Sequence, residues 1–489
     1  VTFLLLSAVG VALAGTPLSY EDALQQALER NPTLLSTEAG IAQAEGALLA
    51  AQGIFDPSLG AGINYSSDVS QNSFFSGVDQ RFQLAGANVG VTGLLPTGTT
   101  LGVDFANRRQ NTAYDGNPER IEQLRQGGIL NEEYQYRSVL SASVTQSILQ
   151  GFRMAYNLSS VRQARRARDQ AEAELLRQRN ETLASVAGAY WDLWYQRRAV
   201  AIAEKSLEVA REESRIVAAK IAQGTLAGVE QARVAAAVVQ AESALVTARA
   251  TAQAANDLLL TLLGERPGVS VDLTTGPAAI NEAGVEVERA VEAALQNNPE
   301  LQSLRLARDN AELDVQDARH QLLPELTASG SYGLTGLENR DPNSPAALGT
   351  MPAAPNIFTG EARNWSVGLN ASVPLGNKVD RGNRDQKVAA LEVAKRNLEA
   401  REYLLAQQVR AAAANIETTR AQVKLMRANL ELAEQTLAAE RALADAGRSL
   451  QRDVLEAIKN VDDARLNLEN AKANYLLAII ELERLKGSL

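Results

Sequence analysis

The sequence predicts an α+β membrane protein with an internal duplication. Its antiparallel β-barrel is composite, closed only by several chains, and is continued by a long α-helical barrel of coiled-coil hairpins. Three observations carry this. First, "ALQQALERNPTLLS" at 23–36 is echoed by "AVEAALQNNPELQS" at 290–303, and at the same spacing of 267 Pro32 answers to Pro299, Pro57 to Pro324 and Tyr65 to Tyr332. Second, each copy then switches to stretches of about ten residues in which apolar residues alternate with Gly, Ser, Thr and Asn. Third, proline-free tracts run from Gly151 to Gly224 and from Lys378 to Gly447. As helix, some 70 residues make a rod of roughly 105 Å, too long for a globular core.

Taken in order, residues 1–14 read as a signal-peptide remnant. An apolar stretch of about a dozen residues ends in Ala12-Leu13-Ala14, an A-x-A cleavage pattern too short to cross a bilayer as a helix. The first repeat is 15–263, a Gly/Pro-rich linker occupies 264–284, and the second repeat is 285–489. Each repeat holds a helix, strands and a long helical hairpin. After Pro57, Leu59, Ala61, Ile63 and Tyr65 alternate with Ser58, Gly60, Gly62 and Asn64. Leu140, Ala142 and Val144 do the same, as do Leu326 to Tyr332 and Trp365 to Val373. One face is apolar. The other is small and polar, suiting a wet lumen.

The first copy carries a surplus of 40 residues between its strands, including "VGVTGLLPTGTTLGVDF". Val89 and Val91 alternate with Gly90 and Thr92, and Leu101, Val103 and Phe105 with Gly102 and Asp104, about a turn at Pro96-Thr97-Gly98. This favours two added wall strands, six per chain rather than four, over a hairpin outside the wall. The second copy instead has "ENRDPNSPAALGTMPAAPNIFTGEA", expected as a solvent-exposed loop. In the last helix Val454, Val461, Leu468, Tyr475 and Leu482 recur every seven residues, with Ala457, Ala464, Ala471, Ala478 and Leu485 three positions later. That is a five-heptad coiled-coil seam.

Composition narrows the function. Forty-eight basic against 58 acidic residues leave a net charge of −10, with no basic patch for nucleic acid. No cysteine is present, so disulfides and thiolate metal sites are excluded. The one histidine, His320, maps onto Gly53 of the other copy and is expected at the surface. Asp462-Asp463 is expected on a solvated helix face. No phosphate loop, H-E-x-x-H or G-x-S-x-G occurs. The expectation is no enzyme, no catalytic residue, no cofactor and no metal. A structural or adhesive coiled-coil envelope protein is the rival reading, and a lumen-facing strand set speaks against it.

Four or six strands cannot close a barrel, which starts at eight, and open edges in hydrocarbon cost several kcal/mol per unpaired group. Several chains must therefore close it together. At this point "EDALQQALERNP", "ERAVEAALQNNPEL", "GAYWDLWYQ" (188–196) and "DAGRSLQRDVLEA" (445–457) carry a resemblance. In order and over nearly the whole chain, they resemble the TolC family of outer-membrane factors. The resemblance implies a homotrimer in the bacterial outer membrane, extending into the periplasm. It implies the exit duct of a tripartite efflux pump or type I secretion system, passive, in contact with outer-membrane lipid. The partners it implies are a periplasmic adaptor (membrane fusion) protein and an inner-membrane pump or ABC exporter.

The same resemblance locates a gate. The long hairpins turn at Gly224 and Gly447, the periplasmic tips. Asp453 and Glu456 lie three apart on one helix face, matching acidic residues that line the family's periplasmic constriction. Threefold symmetry would make each a ring of carboxylates favouring cations. Arg448, Arg452 and, near the first turn, Glu230 are candidates for ion pairs at the tips. The plainer reading of the acids is helix N-terminal charge complementing the macrodipole.

Overall fold

A computed structural model describes residues 17–71, 77–130, 134–224, 227–277, 284–341, 345–346, 350–359, 362–446, 448–449 and 451–489, without the side chains of Asp445 and Gln451. The 1–14 segment and Gly447 lie outside the described residues. The first half runs β1 (Pro17–Leu18), α1 (Tyr20–Arg30), α2 (Pro32–Gln52), β2 (Ser58–Gln71), β3 (Val78–Leu94), β4 (Thr99–Gly116), α3 (Pro118–Gln126), β5 (Tyr134–Ser147), α4 (Met154–Asn157), α5 (Ser159–Ala222) and α6 (Val229–Leu262). After β6 (Asp272–Leu273) come α7 (Val287–Asn297), α8 (Pro299–His320), β7 (Glu325–Arg340), α9 (Asn356–Thr359), β8 (Arg363–Ser372), α10 (Lys378–Asp445) and α11 (Gln451–Lys486). Two compact units result, and each draws on both halves. One comprises the residues up to Gln43 with 169–308 and 393–489; the other comprises 44–168 and 309–392.

The second unit is built on one six-stranded sheet, order β2-β3-β4-β5-β7-β8, antiparallel throughout. The surplus hairpin is β3–β4, hydrogen-bonded to β2 on one side and β5 on the other. It is part of the sheet, which settles six strands against four among the described residues. Strand β8 has the expected ten residues, while the other five run from 14 to 18. The reason is that pairing outlasts the apolar alternation: Gln80–Gln83 still pairs with Asn111–Tyr114, and Asn111 Nδ2 donates to Gln83 Oε1 at 3.1 Å.

The loop 338–362, expected to be exposed, is only partly so. Ala346, Ala353 and Ile357 are buried, and the Tyr136 hydroxyl accepts from the Ala346 amide at 3.0 Å. Another element, α3, escapes the alternation rule. Asn117 caps it, its Oδ1 accepting from the Glu119 and Arg120 amides at 3.0 and 3.3 Å, and Pro118 holds the first helical position. Ile121 and Leu124 then cover Val78.

The first unit is helical. Arg211–Glu242 (2.7 Å) and Arg249–Glu204 (2.8 Å) join α5 to α6, and Arg465–Glu434 (2.8 Å) joins α10 to α11. All ten seam residues of α11 are buried. Tyr190, Trp191, Leu193 and Trp194 of "GAYWDLWYQ" form a core with α1 and the end of α6. The duplicated Asn-Pro has a matching job in each copy. Asn31 Oδ1 accepts from the Thr33 and Leu34 amides (3.0, 3.1 Å), while its Nδ2 donates to the Leu262 carbonyl at 2.7 Å. Asn298 does the same with Glu300, Leu301 and the Leu485 carbonyl (3.0, 3.2, 3.0 Å). Each buried Asn starts one helix and satisfies an orphan carbonyl ending another. The linker is also anchored. Its Asp272–Leu273 pairs in parallel with Pro17–Leu18, and Asn256 bonds the Val269 carbonyl (2.6 Å) and the Val271 amide (3.1 Å).

Candidate functional site

Cross-strand register sorts the sheet into two chemistries. Leu59, Val91, Val103, Ala142, Tyr332 and Trp365 follow one another across all six strands, each opposite the next. On the reverse face the corresponding row is Gly60, Gly90, Asp104, Ser141, Gly333 and Asn364. The apolar side is uncovered within the chain: Ile63 is 91 % exposed, Val367 78 %, Leu59 and Trp365 74 %. An apolar face of this extent requires a non-aqueous neighbour. Antiparallel pairing joins each strand to its neighbours, so β2 and β8 are the two strands that present an outer edge in the sheet order.

At the hairpin ends, Gly224 takes φ +74° and ends α5, the left-handed conformation glycine accepts at least cost. The Arg448 amide donates to the Leu443 carbonyl at 2.8 Å past the end of α10, and the Ser449 hydroxyl donates to Glu440 at 2.6 Å. Asp453 lies in the first turn of α11, half-buried, and is paired with Arg452 at 3.1 Å. Glu456 is exposed and has no ion pair among the described residues. Glu230, in the first turn of α6, pairs with Arg233 at 2.9 Å. Within one chain, therefore, Arg452 engages Asp453, Glu230 engages Arg233, and Arg448 is exposed.

Two titratable groups differ from expectation. His320 is half-buried: its Nε2 accepts from the Gly151 amide at 3.2 Å, and its ring lies 4.7 Å from that of Tyr156. Burial, aided by Arg153, holds its pKa below the usual imidazole value. Asp462 is half-buried rather than solvated, and burial pushes its carboxyl above the usual range against the pull of Ser206 and Arg465. Among the described residues no group of three His, Cys, Asp or Glu is placed to hold a metal ion.

No helix among the described residues is long and apolar enough to cross a membrane. The two-faced sheet, apolar and exposed on one side and small and polar on the other, has the chemistry of strands that meet a non-aqueous phase on one side only. The chain belongs to the outer membrane efflux protein family, whose model matches residues 23–265 and 290–488, one segment in each half. Membership places it in the bacterial outer membrane, extending into the periplasm. It is 29% identical over 205 residues to outer membrane protein TolC of Vibrio cholerae, covering 41% of this chain and 44% of that one. To the outer membrane efflux protein BepC of Brucella suis it is 24% identical over 362 residues, 73% and 74% of the two chains. The chain thus spans less than half the length of the first relative and about three quarters of the second. Its fold is that of the outer membrane protein VceC from Vibrio cholerae, with TM-score 0.67, 15% identity and 96% of each chain covered.

Proposed function

We propose that the chain is the outer-membrane exit duct of a tripartite efflux pump or type I secretion system, passing substrates without transforming them. The observation that carries this reading is the sheet with one lipid-compatible face, one small polar face and two unpaired edges. Pairing β8 of one copy with β2 of the next removes both edges. With three copies, six strands each give eighteen, a size at which barrels keep an aqueous channel. The hairpins of the first unit stand in the periplasm, where a periplasmic adaptor and an inner-membrane pump or ABC exporter engage them. Residues 15–263 and 285–489, with the linker 264–284 between them, are the duplicated units.

The tips form the gate in this reading. Rings of Asp453 and Glu456 line the constriction, and Arg448, Arg452 and Glu230 contribute the ion pairs around it. The test is reconstitution. Detergent-extracted protein runs at about three times its chain mass in light scattering and inserts into planar bilayers as discrete conductance steps. A monomer without conductance would overturn the duct in favour of a structural envelope protein.

A further inference from the structure

Glycine in a strand interior weakens the strand and calls for a reason. On the polar face of the sheet the usual reasons fail. Gly62, Gly86 and Gly333 have no positive φ, and no backbone atom stands where their side chains would be. What stands there is the end of a polar side chain from the residue directly opposite. A Cβ at Gly62 would be 2.8 Å from Asn88 Oδ1, and one at Gly86 2.6 Å from Asn64 Oδ1; Gly333 is likewise occupied by Asn364 Oδ1. The pairing recurs between Gly90 and Asp104, Gly102 and Ser143, and Gly368 and Ser329. Four of the five strand interfaces carry it.

We infer that these glycines are berths: they let the opposed polar side chains lie along the wall instead of projecting from it, and so set the size of cargo the bore admits. This rests on the duct reading, in which the polar face is the lumen. The wall it describes is smooth, hydrated and, apart from Asp104, made of neutral amides and hydroxyls in these pairs. It suits bulky hydrated cargo and offers little purchase for binding. Because the berths at Gly62, Gly86 and Gly333 hold the ends of flexible side chains and no backbone atom, a larger residue there would turn the Asn inward without moving the backbone.

The chain has no cysteine, so Ser58→Cys supplies a single thiol. Ser58 sits on the polar face at the first residue of β2, beyond the Asn64–Gly86 and Gly62–Asn88 rows as seen from the far end of the sheet. Cells expressing it are treated with a small methanethiosulfonate, or with a maleimide on a bulky polyethylene glycol. With Gly62→Val, Gly86→Val and Gly333→Val added, the small reagent should react at the parent's rate and the bulky one roughly tenfold slower, since access follows pore diameter. Adding Asn88→Ala, Asn64→Ala and Asn364→Ala should then restore the bulky reagent's rate.

Unchanged access for the bulky reagent in the valine variant would overturn the inference, and so would a defect that the alanines leave in place. If the valine variant fails to reach the membrane, the same three positions as alanine make the same contacts and give the same readout. A parent thiol that the small reagent cannot reach would overturn the duct reading itself, an outcome separate from the other two.

Discussion

Asn31 and Asn298 give the duplicated line its structural job, one that the repeat alone does not reveal. In each copy the proline only fixes the first helical position; the Asn before it makes the contacts. The signal was present, since Asn before Pro at a helix start is a capping pattern. The carbonyls of Leu262 and Leu485 were not legible, because they lie 231 and 187 residues away in the chain. Aspartate caps helices as well as asparagine does, yet Asn31→Asp would lose the Nδ2 donor and set a carboxylate against the Leu262 carbonyl. We expect Asn31→Asp to lower stability by about 2 kcal/mol, more than a cap substitution alone, through the unsatisfied buried carbonyl. Thermal unfolding compared with the parent checks it; stability equal to the parent's would reduce Asn31 to a plain cap. Asp462 permits a pH test. Its folded pKa is raised, so the stability it contributes is present below the ordinary carboxylate range and lost as pH rises through the folded value. Arg465 keeps Glu434 as a partner when Asp462 is replaced. Asp462→Asn should therefore unfold at a higher temperature than the parent at neutral pH, and the difference should vanish in acid.

At the scale of elements, legibility followed the solvent. The α11 seam could be read because apolar spacing there is fixed by packing, and every one of its ten positions is buried. Ala471 sits among Leu468, Tyr475 and Leu482 in that core. Ala471→Leu should destabilise by about 1–3 kcal/mol through overpacking, and Leu468→Ala by about 2–5 kcal/mol through the cavity it leaves. Unfolding in denaturant would check both, and tolerance of both would detach the seam from the core. The strands were legible only where one face is apolar. Beyond that band β3 and β4 continue as polar ladders with no alternation to read, and the half-buried loop over Tyr136 gave no periodic signal at all. Neighbouring positions on β3 test the face assignment. Val91→Cys should react with a lipid-phase probe, whereas Thr92→Cys should react only with water-soluble thiol reagents. Water-phase labelling of both would lift the hairpin out of the wall.

At the scale of the whole molecule, the proposed gate rests on two acids whose electrostatic weights come from their neighbours. Asp453 and Glu456 carry equal formal charge and differ in pairing: Arg452 lies 3.1 Å from Asp453, while Glu456 is exposed and unpaired among the described residues. With Arg452 exposed and Asp453 only half-buried, this pair contributes little to stability, about 0–1 kcal/mol. It does offset the field a permeating ion meets, because the guanidinium travels with the carboxylate around the ring. In a threefold assembly the unopposed ring is therefore that of Glu456, and it should dominate cation preference. Measured as reversal potential across a salt gradient in planar bilayers, Glu456→Gln should reduce the cation-to-anion permeability ratio several-fold, and Asp453→Asn should reduce it less. Arg452→Gln should move the ratio the other way, by unmasking Asp453. All three effects should shrink at high ionic strength, as surface charges become screened over a shorter Debye length. An unchanged ratio in all three variants would return Asp453 and Glu456 to the role of acids complementing a helix N-terminus and remove them from the gate.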